Sequence, residues 1–232
     1  MSDQSFDPGI LLLSDPRVAA IPIAETGEAL FDVREAGLRL DGRKRDETGA
    51  YARLRSGVVE RLLVAERRLP PCLALLLIEG HRPAWLQREY FEEHLADLRG
   101  LHPDWSADRL RVEASKYISP LGVAPHPCGA AVDLTLSRLD GGEVQMGTRV
   151  NASPEESDGA CFMVATNIST EARANRLILA AALSGVGLVN YPTEWWHWSF
   201  GDRYWAATTG APAALYGPVS YTHLTLPTKR IV

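Results

Sequence analysis

The stretch APHPCGAAVDLTL, residues 124–136, changes character at its midpoint. Pro125, Pro127 and Gly129 require a loop, whereas Val132 to Leu136 alternates and is β-branched enough for a strand. The small residues Gly129, Ala130 and Ala131 permit a tight turn that brings the imidazole of His126 back beside the carboxylate of Asp133. A carboxylate between Val132 and Leu134 in an apolar strand needs a strong partner to offset its desolvation. Cys128 shares this loop but lies only two residues from His126, and it is not taken as a ligand.

A second stretch, PTEWWHWSF at residues 192–200, carries Glu194 and His197. Three positions apart, they would point to opposite faces of a regular strand. To serve one site, Glu194 must sit in the bend after Pro192 with His197 already inside the strand. Trp195 would then share the face of His197, while Trp196, Trp198 and Phe200 face the other way as an aromatic wall. The two stretches together offer two imidazoles and one carboxylate to hold a metal, plus a further carboxylate that can move protons. Catalytic zinc sites use three protein ligands and keep a fourth position open for water. The inventory is therefore that of a zinc hydrolase, and a zinc peptidase is the reading adopted.

Working outward, Cys72 to Ile78 is a continuous apolar run, as in a strand buried on both faces, and it delivers Glu79-Gly80-His81-Arg82-Pro83 at its end. A guanidinium at Arg82 could steady an oxyanion. Helical spacing over Ala50 to Arg68 predicts a first helix, ended by Pro70-Pro71. Further helices are expected over Pro83 to Leu98, over Ser106 to Tyr117, and from Ser169 or Thr170 to a Gly185 stop. Leu30 to Val33, Val186 to Asn190 and Trp195 to Phe200 read as short strands, and Asn151 to Gly159 as a polar surface loop in which Glu155 and Glu156 are exposed acid. His94, His102, Glu113 and Lys116 read as solvated positions. Helices and strands alternate without a regular βαβ repeat, which predicts an α+β fold with a mainly antiparallel central sheet and flanking helices.

A chain of 232 residues, 46% of them hydrophobic, can bury one core, so residues 1–217 are expected to form one domain. Residues 218–232 continue no pattern of the core and read as a foreign or disordered tail. The formal charge of −5 supplies no basic field, so nucleic acid is not an expected partner. No signal-peptide or membrane-spanning pattern is seen, and Cys72, Cys128 and Cys161 lack paired spacing; a cytoplasmic protein with free thiols and no membrane partner is expected. The number of copies that assemble is not legible.

The residues resemble the zinc-dependent D-alanyl-D-alanine dipeptidases of the VanX type, within the wider family of D-Ala-D-Ala metallopeptidases. The resemblance covers about residues 31–205 and is carried by EGHRP, by the His126-to-Asp133 loop running into AVDLTL, by the segment from Arg138 to Thr148, by Asn175-Arg176 and by EWWHW. It implies the fold shared by hedgehog-type and D-Ala-D-Ala peptidase domains. It also implies one zinc per chain on His126, Asp133 and His197, with Glu194 as general base, Arg82 steadying the tetrahedral intermediate, and a small D-amino-acid dipeptide as substrate. Ala124, Asn151 and Trp195 are the expected substrate-binding positions. Members of the family carry a serine and an aspartate where this chain has Ala124 and Asn151, so weaker discrimination for the substrate's ammonium is expected. The alternatives are a D,D-carboxypeptidase or peptidoglycan endopeptidase with the same zinc site, or a non-catalytic zinc-containing peptide-binding module. Structural zinc sites are closed by four protein ligands, and no fourth is apparent in the sequence.

Overall fold

A computed structural model describes residues 10–115 and 117–219. Helix α1 (Pro16–Ala19), capped by Asp15, precedes strands β1 (Leu30–Asp32) and β2 (Arg39–Leu40). A 3-10 turn over Ala50–Ala52 leads into β3 (Arg53–Arg55), which runs directly into α2 (Ser56–Glu66). There follow β4 (Leu73–Glu79), α3 (Ala84–Leu101), α4 (Ala107–Ala114), a 3-10 turn over His126–Cys128 and β5 (Ala131–Arg138). The remainder is α5 (Pro154–Ser157), α6 (Thr170–Ser184), β6 (Val189–Asn190), β7 (His197–Ser199) and α7 (Arg203–Thr209).

The main sheet has the order β2-β4-β5-β7-β6, in which only the β2–β4 pair is parallel, and β1 and β3 form a separate antiparallel ribbon. This is the expected α+β fold with a mainly antiparallel sheet. Strand β5 lies at its centre and has two chemically different faces. Val132, Leu134 and Leu136 enter the hydrophobic core with Leu75 and Leu77 of β4, Val58, Leu62 and Ala65 of α2, and Leu179, Ala182 and Leu183 of α6. Each valine or leucine side chain among them contributes about 1.5–3 kcal/mol on burial. By the two-residue period, Asp133, Thr135 and Ser137 turn to the opposite face.

A bulge in β4 decides what Asp133 meets. Leu77 pairs with Leu134, but the next pair is Glu79 with Asp133, so Ile78 is the extra residue. Both Leu77 and Ile78 remain in the core, and Glu79 is delivered to the polar face. On the other side, Asp133 pairs with His197 of β7. Glu79, Asp133 and His197 therefore form one row across three strands.

The first helix is shorter than its periodicity predicts. Arg53 to Arg55 pair with β1, so Tyr51 and Leu54 owe their burial to the ribbon and its turn, and the helix begins at Ser56. The polar segment after Asn151 contains α5, whose Ser153 and Glu156 form a reciprocal capping box. Val219 N–H donates to the Pro127 carbonyl at 2.8 Å; residues 220–232, most of the predicted tail, lie outside the described residues. Among the described residues, no helix is long and apolar enough to cross a membrane.

Candidate metal centre and active site

His126 is held by two glycines. Gly129 closes its 3-10 turn at φ 66°, a left-handed conformation in which an added Cβ would strike the Leu30 side chain. The Gly80 carbonyl accepts a hydrogen bond from His126 Nδ1 at 2.7 Å, which fixes the tautomer and aims Nε2 inward. Nε2 lies 3.4 Å from Asp133 Oδ1, and the same oxygen lies 3.0 Å from His197 Nδ1. The three ligand atoms fall within 4.8 Å of one another, and the side chains are buried. Zinc–ligand bonds of about 2.0 Å at tetrahedral angles place neighbouring ligand atoms roughly 3.3 Å apart. Two imidazole nitrogens and one carboxylate oxygen at these separations fit a zinc ion.

Burial alone would raise the Asp133 carboxyl, but His126 and His197 outweigh it and hold the group well below the usual carboxylate range. His81 lies behind the centre, its Nδ1 donating to the His126 carbonyl at 3.1 Å; burial lowers its pKa to about 4, so it stays neutral.

Glu194 sits in the bend after Pro192, as expected. Its N–H donates to the Tyr191 carbonyl at 2.9 Å, and its carbonyl accepts from Asn190 Nδ2 at 3.0 Å. Its Oε2 lies 3.7 Å from His197 Nδ1, beside the ligand cluster. Desolvation in the cavity pushes this carboxyl up to about 7, a value suited to taking and returning protons at neutral pH. Arg82 forks onto Glu79 through Nε at 2.6 Å and Nη2 at 2.7 Å, and its Nη1 donates to Gln87 Oε1 at 2.9 Å. Three of its five N–H groups are thereby used, and the guanidinium still borders the cavity.

These groups line one cavity of about 330 Å³, the size of a small-ligand pocket. It brings together His126, Asp133, His197, Glu194, Arg82, Ala124 and Asn151. Trp195 is not among its walls: it is 1% exposed, and its indole N–H donates to Thr148 Oγ1 at 2.8 Å. Trp196 takes the wall position instead, because β7 starts only at His197 and the alternation counted from Trp195 does not hold through the bend. His94 and Glu155, read as solvated, also border the cavity, as do Lys44, Tyr90 and Tyr117. Gln87, Tyr90 and His94 recur at helical spacing along α3, a polar and aromatic stripe that was open to detection.

An α+β fold with a buried His-Asp-His cluster that fits a metal ion and an adjacent carboxylate has the make-up of a hydrolase. Comparison with known proteins gives the family. Residues 93–211 match the Peptidase_M15 family model, described as D-ala-D-ala dipeptidase, and this span contains His126, Asp133, Glu194 and His197. A D-alanyl-D-alanine dipeptidase of Synechocystis sp. (strain ATCC 27184 / PCC 6803 / Kazusa) is 28% identical over 221 residues, covering 81% of this chain and 87% of that protein. One from Enterococcus faecium is 33% identical over 135 residues, covering 56% of this chain and 63% of that protein. Among solved structures, VanYB in complex with D-alanine-D-alanine aligns over 72% of this chain and 82% of that one, with a TM-score of 0.41 and 17% identity. The chain belongs to the Peptidase_M15 family of D-Ala-D-Ala dipeptidases and is a peptidase.

Proposed function

We propose that this peptidase hydrolyses D-Ala-D-Ala, or a closely related short D-amino-acid dipeptide, with one zinc ion held by His126 Nε2, Asp133 Oδ1 and His197 Nδ1. The observation that carries the reading is the position of Glu194, whose carboxylate lies 3.7 Å from a ligand nitrogen and lines the same cavity as all three ligands. When bound, zinc acidifies water and polarises the scissile carbonyl. Glu194 takes the proton of the attacking water and returns it to the leaving amine. Arg82, anchored by Glu79 and Gln87, presents its remaining N–H groups to the oxyanion of the tetrahedral intermediate. Trp196, Tyr191 and Leu13 wall the cavity and exclude bulk water, which strengthens each of these interactions.

A second reading, the same chemistry on a longer D,D-peptide, is favoured by Ala124 and Asn151, which leave no hydroxyl and no carboxylate at those two positions. Metal analysis coupled to a panel of D,D-, L,D- and L,L-dipeptides and an N-extended D,D-peptide separates the readings. The proposal expects about one zinc per chain and turnover of the free D,D-dipeptide. Glu194→Ala should retain zinc and lose at least about a hundredfold in kcat, the contribution of a general base. Undiminished turnover in that variant counts against the mechanism.

A further inference from the structure

The charges that line the cavity can be accounted for one by one. Asp133 belongs to the ligand cluster, Glu194 stands beside it, and Arg82 is matched by the buried carboxylate of Glu79. Among the described residues, the remaining charged side chains in the lining are Lys44 and Glu155, one of each sign. Neither has a place in the mechanism above.

Each is tied to the cavity wall by an aromatic side chain, Lys44 by Tyr90 of α3 and Glu155 by Tyr117. Lys44 Nζ stands 5.4 Å from the centre of the Tyr90 ring, a cation–π contact that steers the ammonium without consuming its hydrogen-bond donors. Among the described residues, no carboxylate pairs with it. One turn further along the helix, His94 packs edge-on against Tyr117 at 5.7 Å, and the Tyr117 hydroxyl donates to Glu155 Oε1 at 2.6 Å. That bond holds the carboxylate at the cavity edge while Oε2 retains its acceptor capacity. Lys44 and Glu155 are thus a positive and a negative group in the wall of the cavity that also holds His126, Asp133, His197 and Glu194. That cavity, about 330 Å³, has room for a zwitterionic dipeptide with an opposite charge for each of its ends.

We infer that Lys44 and Glu155 are specificity residues that select a free dipeptide, Lys44 receiving its terminal carboxylate and Glu155 its ammonium. The inference rests on the dipeptidase reading above. It assigns to Glu155 the ammonium recognition that the neutral side chains of Ala124 and Asn151 do not supply, so the discrimination expected to be weak from those two positions is restored from α5.

The test compares D-Ala-D-Ala, its N-acetyl derivative and its C-terminal amide as substrates of the zinc-loaded protein. The wild type should prefer the free dipeptide to either blocked form. Glu155→Gln should lower kcat/KM for the free dipeptide about tenfold, mainly through KM, the loss of one charge-assisted hydrogen bond. It should abolish the preference over the N-acetyl form and leave the preference over the amide. Lys44→Met should do the reverse. Calorimetric titration of D-Ala-D-Ala and the two blocked forms into zinc-loaded Glu194→Gln, with and without each substitution, should show the same exchange in Kd without turnover. Parallel losses on all three compounds, or unmoved preference ratios with D-Ala-D-Ala still hydrolysed, overturn the charge-pair assignment alone. A protein that neither hydrolyses nor binds D-Ala-D-Ala overturns both this inference and the proposed function.

Discussion

Asp133 and His197 stand directly opposite each other in the antiparallel register of β5 and β7, with Oδ1 3.0 Å from Nδ1. His126 joins them from the loop that leads into β5, so an ion on these side chains would bridge the two strands and that loop. The native state alone presents this geometry. Zinc at about a thousand times its dissociation constant should therefore add roughly 4 kcal/mol to stability. For a chain of this size that is a rise of about 10 °C in Tm. Calorimetric melts of chelated and zinc-loaded protein measure it, and Asp133→Asn should erase most of the difference. Superimposable wild-type melts would show that the three side chains hold no ion.

Gly80 is a more distant control on the same centre. Its carbonyl accepts from His126 Nδ1, and a Cβ added there would lie 2.6 Å from the Arg53 carbonyl oxygen and 3.1 Å from the Leu54 side chain. Backbone oxygen cannot rotate away, so Gly80→Ala must displace the end of β4 and, with it, the partner that orients His126. We expect a stability cost of about 1–3 kcal/mol. We also expect zinc affinity to fall about 10- to 100-fold, the usual effect of disturbing a partner behind a ligand. Gly122→Ala, where nothing lies within 4 Å of the added Cβ, should change neither quantity in urea melts and zinc titrations.

The contrast between what was legible in the sequence and what was not follows the range of the forces involved. His126, Asp133, Glu194 and His197 were readable because each is constrained by its own neighbours: prolines and a glycine before a strand, an acid inside an apolar run, a bend after a proline. The apolar run ending at Ile78 likewise announced β4. The bulge that carries Glu79 to Asp133 was not readable, since it depends on the partner strand. The side to which Trp195 and Trp196 turn was missed for a related reason: it depends on where pairing begins, and one residue reverses every face. Lys44 lies in a turn with no periodic signal, so only the tertiary fold brings it to Tyr90. Glu155 had a local clue, because Ser153 and Glu156 spell a capping box and hence a helix start, which fixes the acid's direction more than a free loop would.

The Glu79–Arg82 pair is nearly enclosed, with side chains 4% and 13% exposed. Burial would raise the Glu79 carboxyl, but Arg82 outweighs it and keeps the group ionised. Arg82→Met therefore leaves a buried carboxylate without its cation and should cost about 3–5 kcal/mol. Adding Glu79→Leu removes the stranded charge and should return most of that stability without restoring turnover, because the guanidinium facing the cavity is still missing. Urea melts and dipeptide assays on the two variants separate the roles. Full recovery of activity in the double variant would place Arg82 outside the chemistry.

Arg176 presents the opposite case, a 1% exposed guanidinium pinned on backbone oxygens. Its Nε, Nη1 and Nη2 donate at 2.7 Å each to the carbonyls of Met146, Phe162 and Ala160, closing the segment that carries Asn151 and Glu155 to the cavity. Burial lowers its pKa to about 10, so it remains charged at neutral pH. Arg176→Met keeps much of the apolar stem but strips donors from three carbonyls, each costing about 1–3 kcal/mol when left unsatisfied. Water entering the loosened loop recovers part of this, and a net loss of about 3 kcal/mol is expected. Because the proposed ligands His126, Asp133 and His197 sit on β5, β7 and the 3-10 turn, zinc affinity should change little while KM for the dipeptide rises several-fold. Hydrogen exchange over residues 147–162, read beside zinc titration and steady-state kinetics, tests this division. A fall in zinc affinity as large as the rise in KM would mean that the segment and the metal centre loosen as one unit.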